Sequence, residues 1–328
     1  MNLNEIKNFL GKDWERTQYY IAKALSSRIT LLDDTNRMIL SNSGKQLRPV
    51  ISLLAARACA PGKINEDSYR YAAGAELLHN ATLLHDDVAD DSDQRRGKPT
   101  IMSMMGPSVS VLIGDFWLVR AVDLILECSS GLDRVMKLFS KTLGDLAEGE
   151  LLQLQKAMSG DTDQDDYLKI IFNKTASLFE ASAVSAAISV DADKTCEDAV
   201  RDYAIALGLA FQIRDDIFDY SPEMDTGKPA GVDILEQKIT MPLLGAFANA
   251  GKEREMETRE KIRRIGEAPD RYRTEILDFV HAEKGIEYAG EILSRYIEKA
   301  VRALDVLEDS KEKNYLKELA YFVGKRKS

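Results

Sequence analysis

The chain has 328 residues, a formal net charge of −10, 45% apolar residues and 30% charged residues. This balance is typical of a globular protein with a large core and excludes an intrinsically disordered chain. The net acidity also argues against broad binding to a nucleic-acid backbone, which needs a basic face. An anionic ligand would therefore have to be met locally, by a few Lys and Arg side chains or by a metal ion.

The cysteines, the N-terminal segment and the longest apolar stretch bear on where in the cell the protein is located. Cys59, Cys128 and Cys196 are scattered and show no CxxC spacing, which favours free thiols in a reducing compartment over a disulfide framework. The N-terminal segment is charged throughout and lacks the apolar stretch of a signal peptide. The most apolar long stretch, 109–126, is interrupted by three charged residues, so no segment is predicted to span a membrane. We therefore expect a cytoplasmic protein.

Apolar residues recur at spacings of three and four along most of the chain, which predicts amphipathic helices, whereas strand-like alternation is nearly absent. The helical patterns cover, in chain order, 14–32, a segment from Leu47, 66–90, 108–128, 132–157, 166–190, 196–219, 239–249, 254–266, 272–308 and 311–323. Pro107 predicts a helix start and Gly160 an interruption. The segment 176–190 is apolar or small on nearly every side, which predicts a helix inside a bundle. We predict a single all-α domain over residues 1–328.

Two acidic clusters break the amphipathic pattern. The first, LLHDDVADDSDQRRGKPT, contains five aspartates within eight residues, beginning at Asp86. The second, FQIRDDIFDY, contains Asp215, Asp216 and Asp219. Each includes D-D-x-x-D after an apolar helical segment, so its first and last aspartates lie four apart on one helix face.

Such clusters favour a bound cation. Two like charges about 6 Å apart repel by roughly 3 kcal/mol at an effective dielectric constant of about 20, and the helix macrodipole disfavours anions at a C-terminal end. All-oxygen ligands with no nearby Cys favour a hard ion, and Mg²⁺ characteristically bridges carboxylates to substrate phosphates. The alternative is a pair of solvated acidic helix ends. We expect instead that the clusters bind a hard divalent cation such as Mg²⁺ together with a phosphate-bearing ligand.

The order of the motifs resembles that of the trans-isoprenyl diphosphate synthases (polyprenyl synthetases), most closely the medium- and long-chain, octaprenyl-type members. GKQLRP at 44–49 is similar to the family's GKxxRP, and HNATLLHDDVADDSDQRRGKPT at 79–100 to its first aspartate-rich region. Four further motifs follow in family order: GELLQL at 149–154, Lys174-Thr175, FQIRDDIFD at 211–219 and GKPAGVDILEQKITMP at 227–242. The last departs from the more usual GNDLREGK at Val232, Leu235 and Gln237. The fold implied is the isoprenoid synthase type, a single large helical bundle around a deep central cavity, usually homodimeric.

The resemblance also implies roles for individual residues. The metal ligands, for several Mg²⁺ ions, would be Asp86, Asp90 and Asp215, and these would be catalytic together with Lys174. The allylic diphosphate would contact Arg95, Lys174, Thr175, Gln212 and Lys228, with Lys238 near the same site. Isopentenyl diphosphate would contact Lys45, Arg48, His79 and Arg96. Arg and Lys suit phosphate oxygens, as a planar fork and a point charge respectively; the alternative for His79 is a structural core histidine.

The activity implied is prenyl transfer, with isopentenyl diphosphate and an allylic diphosphate as substrates. The allylic C–O bond breaks to give a carbocation and diphosphate, the isopentenyl double bond attacks the cation, and loss of a proton leaves an allylic diphosphate one unit longer. Mg²⁺ and basic side chains would stabilise the charge on the leaving diphosphate. We expect a homodimer that binds no nucleic acid, has no transmembrane segment and contacts a membrane transiently when product leaves.

The residues before the first cluster bear on product length. Short-chain members of the family tend to carry bulky aromatics where this chain has the small Ala81 and Thr82, which favours an all-trans medium- or long-chain product such as a quinone side-chain precursor. A further barrier is expected on the 108–128 helix, from Phe116, Trp117, Val119 or Leu124. Alternatively, Ala81 simply packs helix on helix and the enzyme is a short-chain farnesyl or geranylgeranyl diphosphate synthase.

Three other classes of protein share part of this pattern. A class I terpene cyclase has the first aspartate motif but would not ordinarily keep Lys45, Arg48, Arg96 and a second D-D-x-x-D. A non-catalytic subunit of a heteromeric synthase typically loses one carboxylate cluster, and both are intact here. A calcium-binding or acidic scaffold protein leaves the basic motifs unexplained.

Overall fold

The structure, a computed structural model, describes residues 2–95, 97–221 and 230–325. Most of these residues are helical, which confirms the all-α prediction. The α-helices are α1 (Leu3–Leu10), α2 (Lys12–Leu25), α3 (Thr30–Ser41), α4 (Leu47–Cys59), α5 (Glu66–Ala89), α6 (Ile101–Met105), α7 (Pro107–Leu126), α8 (Leu132–Ser159), α9 (Gln164–Ile171), α10 (Ser177–Ser189), α11 (Lys194–Asp219), α12 (Val232–Leu235), α13 (Met241–Asn249), α14 (Lys252–Arg263), α15 (Pro269–Ala282), α16 (Gly285–Ala303) and α17 (Lys311–Lys325).

Short elements of other kinds complete the list. A π-helix, Phe172–Ala176, lies between α9 and α10, and 3₁₀ turns cover Ile265–Glu267 and Leu304–Val306. The strands β1 (Gln94–Arg95) and β2 (Lys98–Pro99) pair antiparallel, with Gln94 opposite Pro99. Two-residue strands are too short to show alternation, so the sequence pattern gave no sign of this ribbon.

The helices form two compact units. The first contains the described residues of 1–140, 181–201 and 306–316, and the second those of 141–180, 202–305 and 317–328. Each has its own buried apolar side chains, such as Ile51 and Leu77 in the first unit and Ile213 and Leu243 in the second. The single domain over residues 1–328 and its central cavity stay predictions.

In the first unit, α5 and α7 pack antiparallel at close range. Ser110 Oγ donates to the Leu84 carbonyl at 2.9 Å near one end. At the other end, a Cβ added to Gly74 would lie 3.2 Å from Ile125 Cγ1. Small residues thus let the two backbones approach along much of their length, and α7 covers one side of the helix that carries Asp86.

In the second unit, α16 begins against the start of α13. A Cβ added to Gly285 would lie 2.1 Å from the Pro242 carbonyl oxygen, a distance that real Cβ atoms essentially never show. Lys284, which directly precedes α16 and is the last residue of the link from α15, has a φ of 56°. The predicted continuous pattern over 272–308 is therefore two helices, because the chain turns at Lys284.

The predicted helix 14–32 is also wrong in its extent, because α2 ends at Leu25 and α3 begins at Thr30. In the break, the Ser27 amide donates to Asp33 Oδ1 at 3.2 Å and the Ile29 amide to Ser27 Oγ at 3.1 Å. Such side-chain acceptors compete with helical hydrogen bonds.

Other predictions about the helices hold. Helix α7 begins at Pro107, α8 ends just before Gly160, and residues 176–190 are buried except for the half-buried Glu180. In the described part of the chain, we found no helix long and apolar enough to cross a membrane.

Candidate active site

The first aspartate cluster lies at the C-terminal end of α5, in the first unit. The helix starts with a capping box. The Asn65 side chain accepts a hydrogen bond from the Ser68 backbone amide, and the Ser68 hydroxyl accepts one from the Asn65 backbone amide. It ends at Ala89, with Asp90 as the C-cap residue. Asp86 is half-buried and Asp90 is exposed. The cluster therefore ends its helix as expected, where the macrodipole disfavours negative charge.

Asp87, which the sequence did not single out, binds an arginine of this cluster. Its buried carboxylate accepts a hydrogen bond from Arg95 Nε at 2.7 Å. Arg95 reaches it from β1, and Gly97, with φ of 73°, lies in the turn to β2. A guanidinium has five N–H donors, so this contact is compatible with diphosphate binding by Arg95. Arg96 lies outside the described residues.

The residues predicted to bind isopentenyl diphosphate also lie in the first unit. Lys45 is exposed just before α4, and Arg48 is half-buried in the first turn of α4. The residue between Lys45 and α4, Gln46, has φ of 53° and is buried, so the GKQLRP motif forms a sharp entry to the helix. His79 is half-buried on α5, two turns before Asp86.

The residues considered for product length differ in their exposure. Ala81 is buried on α5, and Thr82 is half-buried with its hydroxyl donating to the His79 carbonyl at 2.8 Å. On α7, Leu124 is buried and Phe116 is half-buried, whereas Val119 is 57% exposed. Trp117 is fully buried, and its indole Nε1 donates to Asn36 Oδ1 at 2.8 Å.

The second aspartate cluster lies at the C-terminal end of α11, in the second unit. Asp219, the last residue of α11, accepts the amides of Val232 and Asp233, each at 3.0 Å, on its two carboxylate oxygens. Its carbonyl also accepts the Gly231 amide at 2.7 Å. The third aspartate of this D-D-x-x-D thus caps α12, where orphan backbone donors need acceptors.

Asp216, the second aspartate of this cluster, is buried and hydrogen-bonded on both oxygens. Tyr167 Oη donates to Oδ2 at 2.5 Å, and Gln212 Nε2 donates to Oδ1 at 2.9 Å. The Gln212 amide oxygen in turn accepts from Thr175 Oγ1 at 2.9 Å. Thr175, Gln212, Asp216 and Tyr167 therefore form one chain of hydrogen bonds.

A cavity of about 150 Å³ lies beside this chain of hydrogen bonds, within the second unit. Three of the predicted diphosphate-binding residues, Lys174, Gln212 and Lys238, lie on its wall. The remaining lining residues are Gln153, Lys156, Ala157, Thr162, Tyr167, Ile170, Ile171, Asp216, Asp233, Ile239 and Thr240. Lys228 lies outside the described residues.

Lys174 stands in the π-helix, an irregularity often found at functional sites. Two glycines make room for this segment. A Cβ on Gly149 of α8 would lie 2.7 Å from Asn173 Cβ and 3.1 Å from the Lys174 amide nitrogen. A Cβ on Gly208 of α11 would lie 2.6 Å from Ala176 Cα. The glycine of the GELLQL motif thus permits the close approach that positions Lys174, whose Nζ lies 2.5 Å from Glu150 Oε2.

Negative charge is concentrated in and beside the cavity. Burial, with added repulsion from Asp215 and Asp219, raises the pKa of Asp216 to about 7, against the opposing hydrogen bonds from Tyr167 and Gln212. Burial also raises the pKa of Asp233 well above its ordinary range, with Asp219 and Asp216 contributing and Lys238 opposing. A cation would relieve the mutual repulsion of these carboxylates.

The donor sets fit Mg²⁺ that is bound together with phosphate. In residues 2–95, 97–221 and 230–325, we found no group of three His, Cys, Asp or Glu side chains placed to hold a metal by themselves. Mg²⁺ commonly takes one or two carboxylates and completes its shell with water and substrate phosphates. Asp86 with Asp90, and separately Asp215, offer carboxylate oxygens of this kind, so the residues predicted as ligands fit Mg²⁺.

Tyr167 and Asp233 are two residues of this cavity to which the motifs assigned no role. Asp233 is the residue that GVDILEQK shares with the aspartate of GNDLREGK. Tyr167 meets Asp216 across 49 positions of sequence, so no local pattern could reveal the pair.

Comparisons with known proteins agree with the order of the motifs. The polyprenyl synthetase family model matches residues 29–278. The octaprenyl diphosphate synthase of Haemophilus influenzae is 36% identical over 324 residues, which cover 98% of this chain and 96% of that protein. That of Escherichia coli is 35% identical over 328 residues, 99% of each chain.

A solved structure extends the similarity to three dimensions. A decaprenyl diphosphate synthase from Rhodobacter capsulatus matches with a TM-score of 0.91 at 32% identity and covers 100% of both chains. The family match, the identity over nearly the full length and the helical fold lead to one conclusion. The chain belongs to the polyprenyl synthetase family of prenyltransferases.

Proposed function

We propose that this chain condenses isopentenyl diphosphate with an allylic diphosphate to make an all-trans medium- or long-chain polyprenyl diphosphate, for example a quinone side-chain precursor. The observation that carries the proposal is the cavity on whose wall Lys174, Gln212 and Lys238 lie with the buried Asp216 and the half-buried Asp233. Cationic and carboxylate groups in one enclosed site suit a diphosphate bound together with a metal ion. The octaprenyl diphosphate synthases similar to this chain support the choice of product class.

In this proposal the second unit binds the allylic diphosphate. Lys174, Lys238 and the Gln212 amide are the groups of the cavity that interact with phosphate oxygens, with Thr175 orienting Gln212. Lys228 and, from the first unit, Arg95 add further positive charge. Asp215, and Asp86 with Asp90, would hold Mg²⁺, which would act as a Lewis acid and stabilise charge on the leaving diphosphate.

Isopentenyl diphosphate is assigned to the basic residues of the first unit. Lys45, Arg48 and His79, together with Arg96, hold its diphosphate so that the double bond reaches the allylic carbon as the C–O bond breaks. The reaction needs no protein nucleophile. It needs charge stabilisation and alignment, which is what this set of residues supplies.

The small Ala81 supports growth of the product beyond the farnesyl length. A second candidate, a short-chain synthase, is favoured if Ala81 only packs against neighbouring helices, as its complete burial allows. If the protein is instead a terpene cyclase or a non-catalytic subunit, the elongation assay described next should give a different result.

The test is incubation of the purified protein with labelled isopentenyl diphosphate, farnesyl diphosphate and Mg²⁺, followed by mass spectrometry of the extracted products. A ladder that ends at a medium- or long-chain polyprenyl diphosphate is the expected result. A product no longer than geranylgeranyl diphosphate would identify the short-chain alternative. A cyclic hydrocarbon or no product at all would overturn the proposal.

The proposal also includes the oligomeric state of the protein and its location in the cell. On α7, Leu112, Val119 and Leu126 are 67%, 57% and 53% exposed and recur every seven residues, so they lie on one face of the helix. An exposed apolar stripe of this kind supports a contact with a second copy of the chain. We place the homodimer in the cytoplasm, with transient membrane contact at product release.

A further inference from the structure

The buried hydroxyl of Tyr167 has no role in the reaction described above. Tyr167 lies on α9 and is 2% exposed. Its ring lines the cavity beside Asp216 and Lys174. The hydroxyl donates to Asp216 Oδ2 at 2.5 Å, the shortest hydrogen bond in the Thr175–Gln212–Asp216–Tyr167 chain. A bond of this length between a hydroxyl and a carboxyl group is strong and directional.

Asp216 is fixed from two sides. Tyr167 holds one oxygen and Gln212, from the same helix, holds the other. Gln212 cannot rotate its amide without breaking the bond from Thr175. Of these contacts, the bond from Tyr167 is the one that ties Asp216 to a different helix, because Gln212 and Asp216 both belong to α11.

Asp215 is the neighbour of this anchored residue. Successive residues of a helix point about 100° apart, so Asp216 faces the interior with Ile213 and Ile217 while the half-buried Asp215 faces a different direction. Fixing Asp216 fixes the rotation of this last turn of α11 about its axis. That rotation determines where the Asp215 carboxylate points.

We propose that Tyr167 is a positioning residue, whose hydroxyl holds Asp216 and thereby orients Asp215 for binding of the Mg²⁺–diphosphate complex. This inference rests on the proposed function. Tyr167 does not touch the reacting atoms in this account. Its loss should weaken metal binding and leave the chemical step largely intact once metal is saturating.

The test compares Tyr167→Phe with a matched control, Tyr220→Phe. Tyr220 is also fully buried in the second unit, but its hydroxyl accepts from Thr240 Oγ1 at 3.3 Å, and it has no hydrogen bond to a carboxylate among the residues that the structure describes. For each variant, Mg²⁺ is titrated calorimetrically in the presence of an unreactive thiolo analogue of farnesyl diphosphate. The melting temperature, kcat and the Mg²⁺ concentration at half-maximal rate are measured in parallel.

The proposal predicts that Tyr167→Phe weakens Mg²⁺ binding about tenfold or more, which corresponds to 1.4 kcal/mol, while kcat at saturating Mg²⁺ stays within a fewfold of wild type. Tyr220→Phe should leave Mg²⁺ binding unchanged even if its melting temperature falls. An unchanged Mg²⁺ affinity in folded Tyr167→Phe would overturn the proposal and show a structural role only.

Two further outcomes separate this inference from the function on which it rests. If wild-type protein binds no Mg²⁺–analogue complex and forms no product, the proposed function fails. If wild type elongates normally but Tyr167→Phe matches it, only the role of Tyr167 fails. Should Tyr167→Phe not be folded at the assay temperature, wild type and both tyrosine variants are titrated at a lower temperature at which all three are folded.

Discussion

Asp215 and Asp216 stand side by side in the sequence but have different surroundings. Asp216 is buried with both oxygens hydrogen-bonded, while Asp215 is half-buried at the end of the same helix. In the first cluster, Asp87 is likewise buried and bonded to Arg95 next to the half-buried Asp86. In each D-D pair, one aspartate is buried and bonded to a neighbouring side chain, and the other is the residue predicted from the family resemblance to bind metal.

A third buried aspartate, Asp67, stabilises the first unit away from the candidate site. It accepts the amides of Ser129 and Ser130 at 2.9 and 2.8 Å. Burial disfavours its ionised form, but these amide hydrogen bonds outweigh burial and hold the pKa of Asp67 below its ordinary value. Its contribution to stability is therefore present above the unfolded-state pKa of about 3.9 and is lost as pH falls through the lower folded-state value.

Asp67→Asn should lower stability at pH 7 by about 1–3 kcal/mol, because buried amide donors lose a charged acceptor. Calorimetric melting temperatures of variant and wild type should differ fully at neutral pH and begin to converge only as the pH falls below about 4. The control is Asp133→Asn, in an exposed pair with Lys137, which should change little. A difference that persists undiminished at low pH would contradict the assigned cause.

Ala81→Tyr tests the residue expected to set product length. If Ala81 faces the growing chain, a tyrosine ring there blocks the path and the longest product becomes shorter, as seen by mass spectrometry. Ala81→Ser, which is similar in size, should leave the products unchanged. A folded Ala81→Tyr variant with the wild-type product distribution would show that Ala81 only packs against other helices.

At the scale of elements, the π-helix that carries Lys174 depends on its neighbours. Gly149 on α8 and Gly208 on α11 lie so close to it that a methyl group at either position would overlap its atoms. Overpacking at such a contact shifts backbone as well as side chains. The position of Lys174 in the cavity is thus determined by two residues that never meet the ligand.

Gly149→Ala should destabilise the protein by about 1–3 kcal/mol and weaken binding of the allylic diphosphate analogue, because the added Cβ would meet the Lys174 backbone. The control lies on the same helix. Gly144→Ala places its Cβ in open space and should stabilise the protein by up to about 1 kcal/mol through helix propensity. Thermal unfolding and calorimetric binding measure both effects. Equal behaviour of the two variants would refute the packing argument.

The sequence predicted the helices well where each has an apolar stripe or a clear boundary residue, as at Pro107 and Gly160. It failed where local side chains interrupt a pattern, as at Ser27 between α2 and α3. In the candidate site, motifs predicted a binding role for Lys174, Gln212 and Lys238, and these three residues line one cavity. The contacts of Tyr167 and Asp87 could not be predicted, because a buried hydrogen bond to a carboxylate leaves no periodic or motif signal.

For the whole molecule, the exposed stripe of Leu112, Val119 and Leu126 is the surface that we propose for the contact with a second copy of the chain. Val119→Glu would place a charge at its centre, so a homodimer formed through this face should dissociate, as measured by light scattering. The control is Val306→Glu, at a valine that is 63% exposed outside the stripe. A Val119→Glu protein with the molecular mass of a dimer would exclude this face as the interface.

The central proposal is that both aspartate clusters are needed to bind Mg²⁺ with the diphosphate substrate. The most direct measurement is a calorimetric titration of Mg²⁺ with the thiolo analogue into wild type, Asp86→Ala and Asp215→Ala. We predict that each substitution weakens binding about tenfold or more and abolishes Mg²⁺-dependent elongation, because metal ligands from both clusters are required. Wild-type binding and turnover in either folded variant would contradict the claim.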